Sequence, residues 1–254
     1  MFNYFRNRRR KRLLATPLPK AWWEIIDANV PMVREMDQLD RKAIGGIVQV
    51  LMHEKQFEGC DGLVMTDEIR LTVLAQAAIL LLNRETSYYP TLKTIMVYPS
   101  TYFADHQRVM PDGSVVESKQ ARLGESWYQG PLVLAWDNVQ SSAHNHDDGK
   151  NVTLHEFAHQ LDGIATGMDG APRLPSRERY RSWARVLGAE YEQLVDKLHK
   201  GHKTKIDPYA ATNPSEFFAV ATEYFFEKPK AMKRHHPELY EELATFYQQD
   251  RAKG

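Results

Sequence analysis

Apolar positions along this chain recur mostly at helical spacing, with a middle stretch where the period shortens to that of strands. Trp22, Trp23, Ile25 and Ile26 open a helical pattern that breaks near Pro31. Leu39, Ile44, Ile47, Val48 and Leu51 then recur at helical spacing within residues 36–54, although the Gly45-Gly46 pair weakens that helix. Thr66, with Glu68 behind it, is a good N-cap for a third helix reaching Leu82. Beyond Tyr88, residues 94–98 form a β-rich run stopped by Pro99, Pro111-Asp-Gly113 signals a turn between extended pieces, and residues 130–136 read as a further strand. Ser176 starts a long helix with Tyr180, Trp183, Leu187, Tyr191, Leu194 and Leu198 along one seam, ended by Gly201. Helices, then short strands, then helices predict an α+β fold, with a small mixed sheet and a helical N-terminal part.

The chemistry lies between the last strand and the long helix. Asn151-Val-Thr-Leu-His-Glu-Phe-Ala-His-Gln-Leu-Asp-Gly163 predicts a short buried helix, capped by Asn151 and stopped by Gly163. Within it His155 and His159 lie four residues apart, so their imidazoles stack on one face with the spacing to hold one divalent metal. Glu156 sits beside the first of them, where its carboxylate can reach a water on that metal. Leu154, Phe157, Ala158 and Leu161 cover most of the remaining helix surface, so a packed element, not a loop, holds the histidines. Chance would produce this His-Glu-x-x-His pattern about 0.03 times in a chain of this length and composition. A near repeat at His53-Glu54 fails because Phe57 stands where the second histidine should be. Strands followed by a ligand-bearing helix suit a zincin-like metallopeptidase. Residues 132–136 are then either a sheet edge facing the metal, able to pair with an extended peptide, or an ordinary internal strand.

Composition bounds the partners. The 254 residues are 43% hydrophobic and 26% charged, a soluble globular balance, and 33 basic residues offset 33 acidic ones, so no global field draws the chain to nucleic acid or membrane. The most apolar run, residues 71–82, is too short to cross a bilayer. The single Cys60 cannot form an internal disulfide, which fits a cytoplasmic location. Arg6, Arg8, Arg9, Arg10, Lys11 and Arg12 form a basic run, but Pro17 and Pro19 interrupt the short apolar stretch after it, so a secretion signal is not expected. Residues 1–19 are therefore expected to be a disordered, solvated tail, and residues 20–254 a single domain; direct nucleic-acid binding is not expected.

Catalytic zinc takes three protein ligands and leaves one position open, so a third donor is required. A histidine six residues after His159 would supply it, but that position is Ala165. The alternative is a glutamate from a later helix. Asn213 as N-cap and Pro214 in the first turn begin an apolar helix carrying Glu216 and Glu223 two turns apart on one face. Asn213-Pro-Ser-Glu216 also has capping-box spacing, and Glu223 could be a surface charge, so spacing leaves both open.

His-Glu-Phe-Ala-His-Gln-Leu-Asp, followed by Tyr-Ala-Ala-Thr-Asn-Pro-Ser-Glu-Phe-Phe-Ala-Val-Ala-Thr-Glu-Tyr-Phe-Phe, resembles the Mlc titration factor A family of bacterial zinc peptidases; the second stretch also resembles the anthrax lethal factor peptidase domain. Gly124-Glu-Ser-Trp-Tyr-Gln-Gly-Pro-Leu-Val-Leu-Ala-Trp136 and Phe246-Tyr-Gln-Gln-Asp250 are similar to that family as well, so the likeness covers most of the chain beyond the basic run. The resemblance implies a gluzincin-type site: one zinc on His155, His159 and Glu216, Glu156 as general base, Tyr209 steadying the tetrahedral intermediate, and Glu223 supporting a ligand. It further implies a cytoplasmic peptidase, aminopeptidase-like on small substrates, that binds a transcriptional repressor of the Mlc type and so regulates glucose-transport genes. The other reading is a non-proteolytic anti-repressor that sequesters its partner. Some members carry an extra upstream histidine near the metal; residues 115–120 hold none, which leaves His106, His144 and His146 as candidates.

Overall fold

A computed structural model describes residues 2–84, 87–109, 115–122, 124–126, 130–164 and 167–253. The N-terminal part is helical: α1 (Phe2–Ala15), α2 (Lys20–Asn29), the single turn α3 (Pro31–Arg34) and α4 (Gln38–Glu54). Helix α1 corrects the expectation of a disordered tail. Arginine and lysine are good helix formers, and the run is fixed by tertiary contacts that no apolar stripe announces. Arg10 grips Glu54 of α4 through two hydrogen bonds of 2.7 and 2.6 Å. Gly46 makes the approach possible, because a Cβ there would stand 2.9 Å from the Leu14 carbonyl oxygen. The glycine pair that weakens α4 in propensity is thus the seam on which α1 and the Trp23 ring rest.

Strand β1 (Gln56–Gly59) leads to α5 (Asp67–Ile79), capped as expected by Thr66, whose hydroxyl oxygen accepts from Ile69 N–H at 3.3 Å. Every residue of α5 from Leu71 onward is buried. Next come β2 (Thr94–Tyr98), the antiparallel pair β3 (Tyr102–Val109) and β4 (Val115–Arg122), β5 (Gly124–Ser126) and β6 (Leu132–Ala135). The expected turn between β3 and β4 lies outside the described residues.

The main sheet runs β1-β2-β6-β5, with β1, β2 and β6 parallel and β5 antiparallel to β6. Strand β6 is therefore internal, which decides between the two readings of residues 132–136: all four β6 residues are buried, Trp136 already belongs to the next helix, and among the described residues the short β5 ends the sheet against the histidine-bearing helix.

Helix α6 (Trp136–His144) connects to α7 (Val152–Asp162); α8 (Arg177–His199), a 3₁₀ turn (Pro208–Ala211), α9 (Pro214–Glu227), α10 (Pro229–His235) and α11 (Pro237–Tyr247) complete the chain. Helix α9 is buried at every position from Phe217 to Glu227. Its phenylalanines account for that: Phe218 meets Trp183 of α8 at 5.5 Å and Phe246 of α11 at 5.8 Å, and Phe225 stacks on Tyr247 at 5.7 Å. With α9 clamped on this side, its opposite face packs along α7.

Candidate metal centre

Helix α7 starts where Asn151 accepts from Leu154 N–H at 2.9 Å. Its histidines, one turn apart, bring His155 Nε2 and His159 Nε2 to 3.2 Å. Helix α9 starts the same way, Asn213 Oδ1 accepting from Glu216 N–H at 3.0 Å. The carboxylate of Glu216 does not close a capping box with Asn213. It reaches across to α7, with Oε2 3.0 Å from His155 Nε2 and 3.4 Å from His159 Nε2. Glu223, two turns on, places Oε1 2.7 Å from His155 Nδ1 and accepts from Asn151 N–H on Oε2. It is 93% removed from solvent, the reverse of a surface charge.

A carboxylate only accepts, so His155 Nδ1 donates to Glu223, while its Nε2 faces the Glu216 carboxylate and would give up its proton to a metal bound between them. On His159 a serine performs the same task. Ser215 donates its one proton to Asp162 Oδ2 at 2.8 Å, so its oxygen accepts from His159 Nδ1 at 3.1 Å. Asp162 lies three residues beyond His159 on α7, is fully buried, and also accepts from Gly170 N–H at 2.9 Å. Both imidazoles are thereby aimed with Nε2 toward one point, the arrangement in which outer partners orient metal-binding histidines.

The donor atoms fit a small divalent cation. Tetrahedral zinc with ligand bonds of about 2.0–2.1 Å separates its donors by about 3.3 Å. The spacings here are 3.0, 3.2 and 3.4 Å. Among the described residues, His155, His159 and Glu216 are the group able to hold such an ion. Electrostatics agree: burial opposes charge on His155, yet its hydrogen bonds to Glu216 and Glu223 hold its pKa well above the ordinary imidazole value. Burial likewise opposes charge on Glu216, but the two histidines hold its carboxyl far below the usual range. The cluster wants positive charge at its centre.

Glu156 shares α7 with the histidines, is buried, and has one carboxylate oxygen without a hydrogen-bond partner among the described residues. Burial pushes its carboxyl up to about 7, a rise that the neighbouring histidines oppose. Tyr209 stands on the 3₁₀ turn, half exposed, with its ring 6.1 Å from that of His155. Asp207 sets that turn by accepting from Tyr209 N–H at 2.9 Å, and Lys150, just before α7, pairs with Asp207 at 2.8 Å. Of the extra histidines, His144 bonds back to Gln140 O and His146 faces Glu35, so neither joins the cluster. The side chain of His106 lies outside the described residues.

The profile of the family described as glucose-regulated metallo-peptidase M90 matches residues 5–248. The chain belongs to that family. The chain is 42% identical over 241 residues to an uncharacterized protein of Synechocystis sp., covering 94% of this chain and 87% of the relative. It is 30% identical to Mlc titration factor A of Serratia proteamaculans, over 87% and 84% of the two chains. The identity is 29% with Mlc titration factor A of Yersinia enterocolitica, over 90% and 85%. The α+β, zincin-like architecture of the M90 chain is thus the expected one, and no helix among the described residues is long and apolar enough to cross a membrane. Two residues of the cluster go unnoticed in the sequence, Ser215 and Asp162. Each has a local signal: Ser215 precedes Glu216, and Asp162 shares a helix face with His159 at i, i+3.

Proposed function

We propose that this chain is a zinc-dependent peptidase in which His155, His159 and Glu216 hold one zinc ion, Glu156 is the general base and Tyr209 the oxyanion donor. The reading rests on one observation above the rest. Three ligand atoms meet at tetrahedral-edge spacing on hydrogen-bonded supports, next to a buried carboxylate with an oxygen to spare. Zinc bound there supplies Lewis acidity toward a scissile carbonyl and lowers the pKa of water to about 7. Glu156 takes the proton from the attacking water and passes it to the leaving amine, a role that favours a carboxyl raised toward neutral pH. Glu223 and the Ser215–Asp162 pair keep both histidines in the Nδ1-protonated tautomer through the cycle. Tyr209, exposed on a turn that Asp207 caps and Lys150 braces, donates to the developing oxyanion, a contribution worth about 2.7–4 kcal/mol at comparable sites.

Among the described residues β5 ends the sheet beside α7, and an extended peptide would join that edge; aminopeptidase-like cleavage of small peptides is the activity to assay. Relatives carry the name Mlc titration factor A. We therefore also propose that this chain works in the cytoplasm and engages a transcriptional repressor of the Mlc type, by cleavage or by sequestration.

Changing Glu156→Gln tests the mechanism. The variant should keep about one zinc per chain and lose hydrolysis, whereas Glu216→Ala should lose the zinc. Turnover retained in the glutamine variant would overturn the general base, and full zinc in the alanine variant would overturn the ligand set. If Glu156→Gln still relieves repression in cells, the partner is sequestered; if it does not, the partner is cut.

A further inference from the structure

Helix α1 plays no part in the metal centre, and its contacts are uneven along its length. Its C-terminal half is anchored. Arg10 pairs with Glu54, donates to Ser87 O at 3.1 Å and lies over the Tyr88 ring at 4.6 Å, while Gln49 of α4 donates to Thr16 O at 2.5 Å and Leu14 rests on Gly46. The sector turned away from α4 is a different surface. At 100° per residue, Tyr4, Phe5, Arg8, Arg9, Lys11 and Arg12 fall within roughly 160° of helix circumference, opposite Arg10 and Leu14, along about 12 Å of axis. Tyr4 is 67% and Phe5 60% exposed, their rings edge to face at 5.8 Å. Arg8, Arg9, Lys11 and Arg12 are exposed and have no ion pair among the described residues. No acidic residue precedes Glu24, whereas the whole chain is neutral, so the rest of the protein carries the balancing negative charge.

We propose that this face of α1 docks the protein on an anionic phospholipid bilayer. Four cations on one face attract anionic headgroups at about 1 kcal/mol each, and the aromatic pair at one end of that face suits the headgroup layer. The acidic remainder of the chain orients the encounter, since an anionic surface attracts α1 and repels the body. Nucleic acid would be drawn to the same cations. The outward sector, however, holds no Asn, Gln, Ser or Thr to read base edges, and two exposed aromatics at one end of the helix match an interface better than a phosphate backbone.

The test uses the full chain, sedimented with vesicles of phosphatidylcholine alone or phosphatidylcholine with phosphatidylglycerol. Binding is expected only to the anionic vesicles, and it should fade as salt approaches about 1 M, where the Debye length is roughly 3 Å. Each cation is worth about a five-fold change in affinity, so Arg8→Ser, Arg9→Ser, Lys11→Ser and Arg12→Ser together should abolish sedimentation. Tyr4→Ser with Phe5→Ser should weaken binding by a factor that salt does not change. Should the four-fold variant lose its cooperative melt, the single variants Arg8→Ser and Arg12→Ser carry the test at about five-fold each. The Glu156→Gln protein should bind vesicles like the parent, which separates this surface from the peptidase reading. Equal sedimentation of parent and four-fold variant, or equal binding to both vesicle types, would each overturn the proposal.

Discussion

Removing one oxygen atom, in Ser215→Ala, should weaken metal binding without touching a ligand. The Ser215 hydroxyl is buried and forms two bonds, accepting from His159 Nδ1 at 3.1 Å and donating to Asp162 at 2.8 Å. Without it, the buried Nδ1–H of His159 has no acceptor, an omission that costs about 1–3 kcal/mol. The ring escapes that cost by moving its proton to Nε2, and the lone pair required by the metal is then gone. Asp162 loses one of its two partners on Oδ2, while its other oxygen already has none among the described residues. Loss of such a supporting group lowers metal affinity about 10–100-fold, or roughly 1.4–2.8 kcal/mol. The assay is competition for zinc against a chromophoric chelator at neutral pH, with cobalt absorption as a second reading of ligand geometry. Zinc affinity and a cobalt spectrum equal to the parent's would refute the relay, provided that Glu216→Ala in the same assay loses its metal.

Two other substitutions probe the frame around the site. Burial pushes the Glu227 carboxyl up to about 8 from an ordinary 4.5, although Gly149 and Lys150 donate their N–H groups to it. A group whose pKa is raised by folding contributes stability that is complete below about 4.5 and is lost as pH rises through about 8. Glu227→Gln should therefore melt with a flatter pH profile than the parent over that window; identical slopes would sink the argument. Gly170 has φ of +80°, and a Cβ there would sit 2.4 Å from Pro214 O at the start of α9. Gly170→Ala should lower stability by about 3 kcal/mol, roughly 6–12 °C in melting temperature, and reduce zinc content, because Ser215 and Glu216 come directly after Pro214. An unchanged melt would show that α9 can yield there.

Much of this is legible in the sequence because the signals are local. Thr66, Asn151, Ser176 and Asn213 each cap a helix with a side-chain bond where the pattern places one. The two histidines announce themselves through one turn of helix. What escapes the sequence depends on the far side of a contact. The basic run forms a helix because Glu54 and Gly46 await it, more than 30 residues away. Whether β6 is an edge or an internal strand stays open in the sequence, because the three-residue β5 that pairs with it is too short for any pattern. The choice between Glu216 and Glu223 needs the angle at which α9 crosses α7; in the structure both reach His155, one on each ring nitrogen.

The hydrogen bonds between α7 and α9 have a consequence for how the chain between them can vary. Glu223 and Glu227 hold the N–H groups of Gly149, Lys150 and Asn151, while Ser215 holds Asp162 and His159 at the opposite end of α7. A slip of one residue along either helix would shift its side chains by about 1.5 Å and rotate them by about 100°, breaking every one of these bonds together. The helices can therefore meet in only one register, like a key cut at both ends. The long excursion through α8 has to return α9 to its place, but its length adds nothing to that precision. Insertions and deletions at its exposed turns should leave the spacing of the three donor atoms untouched.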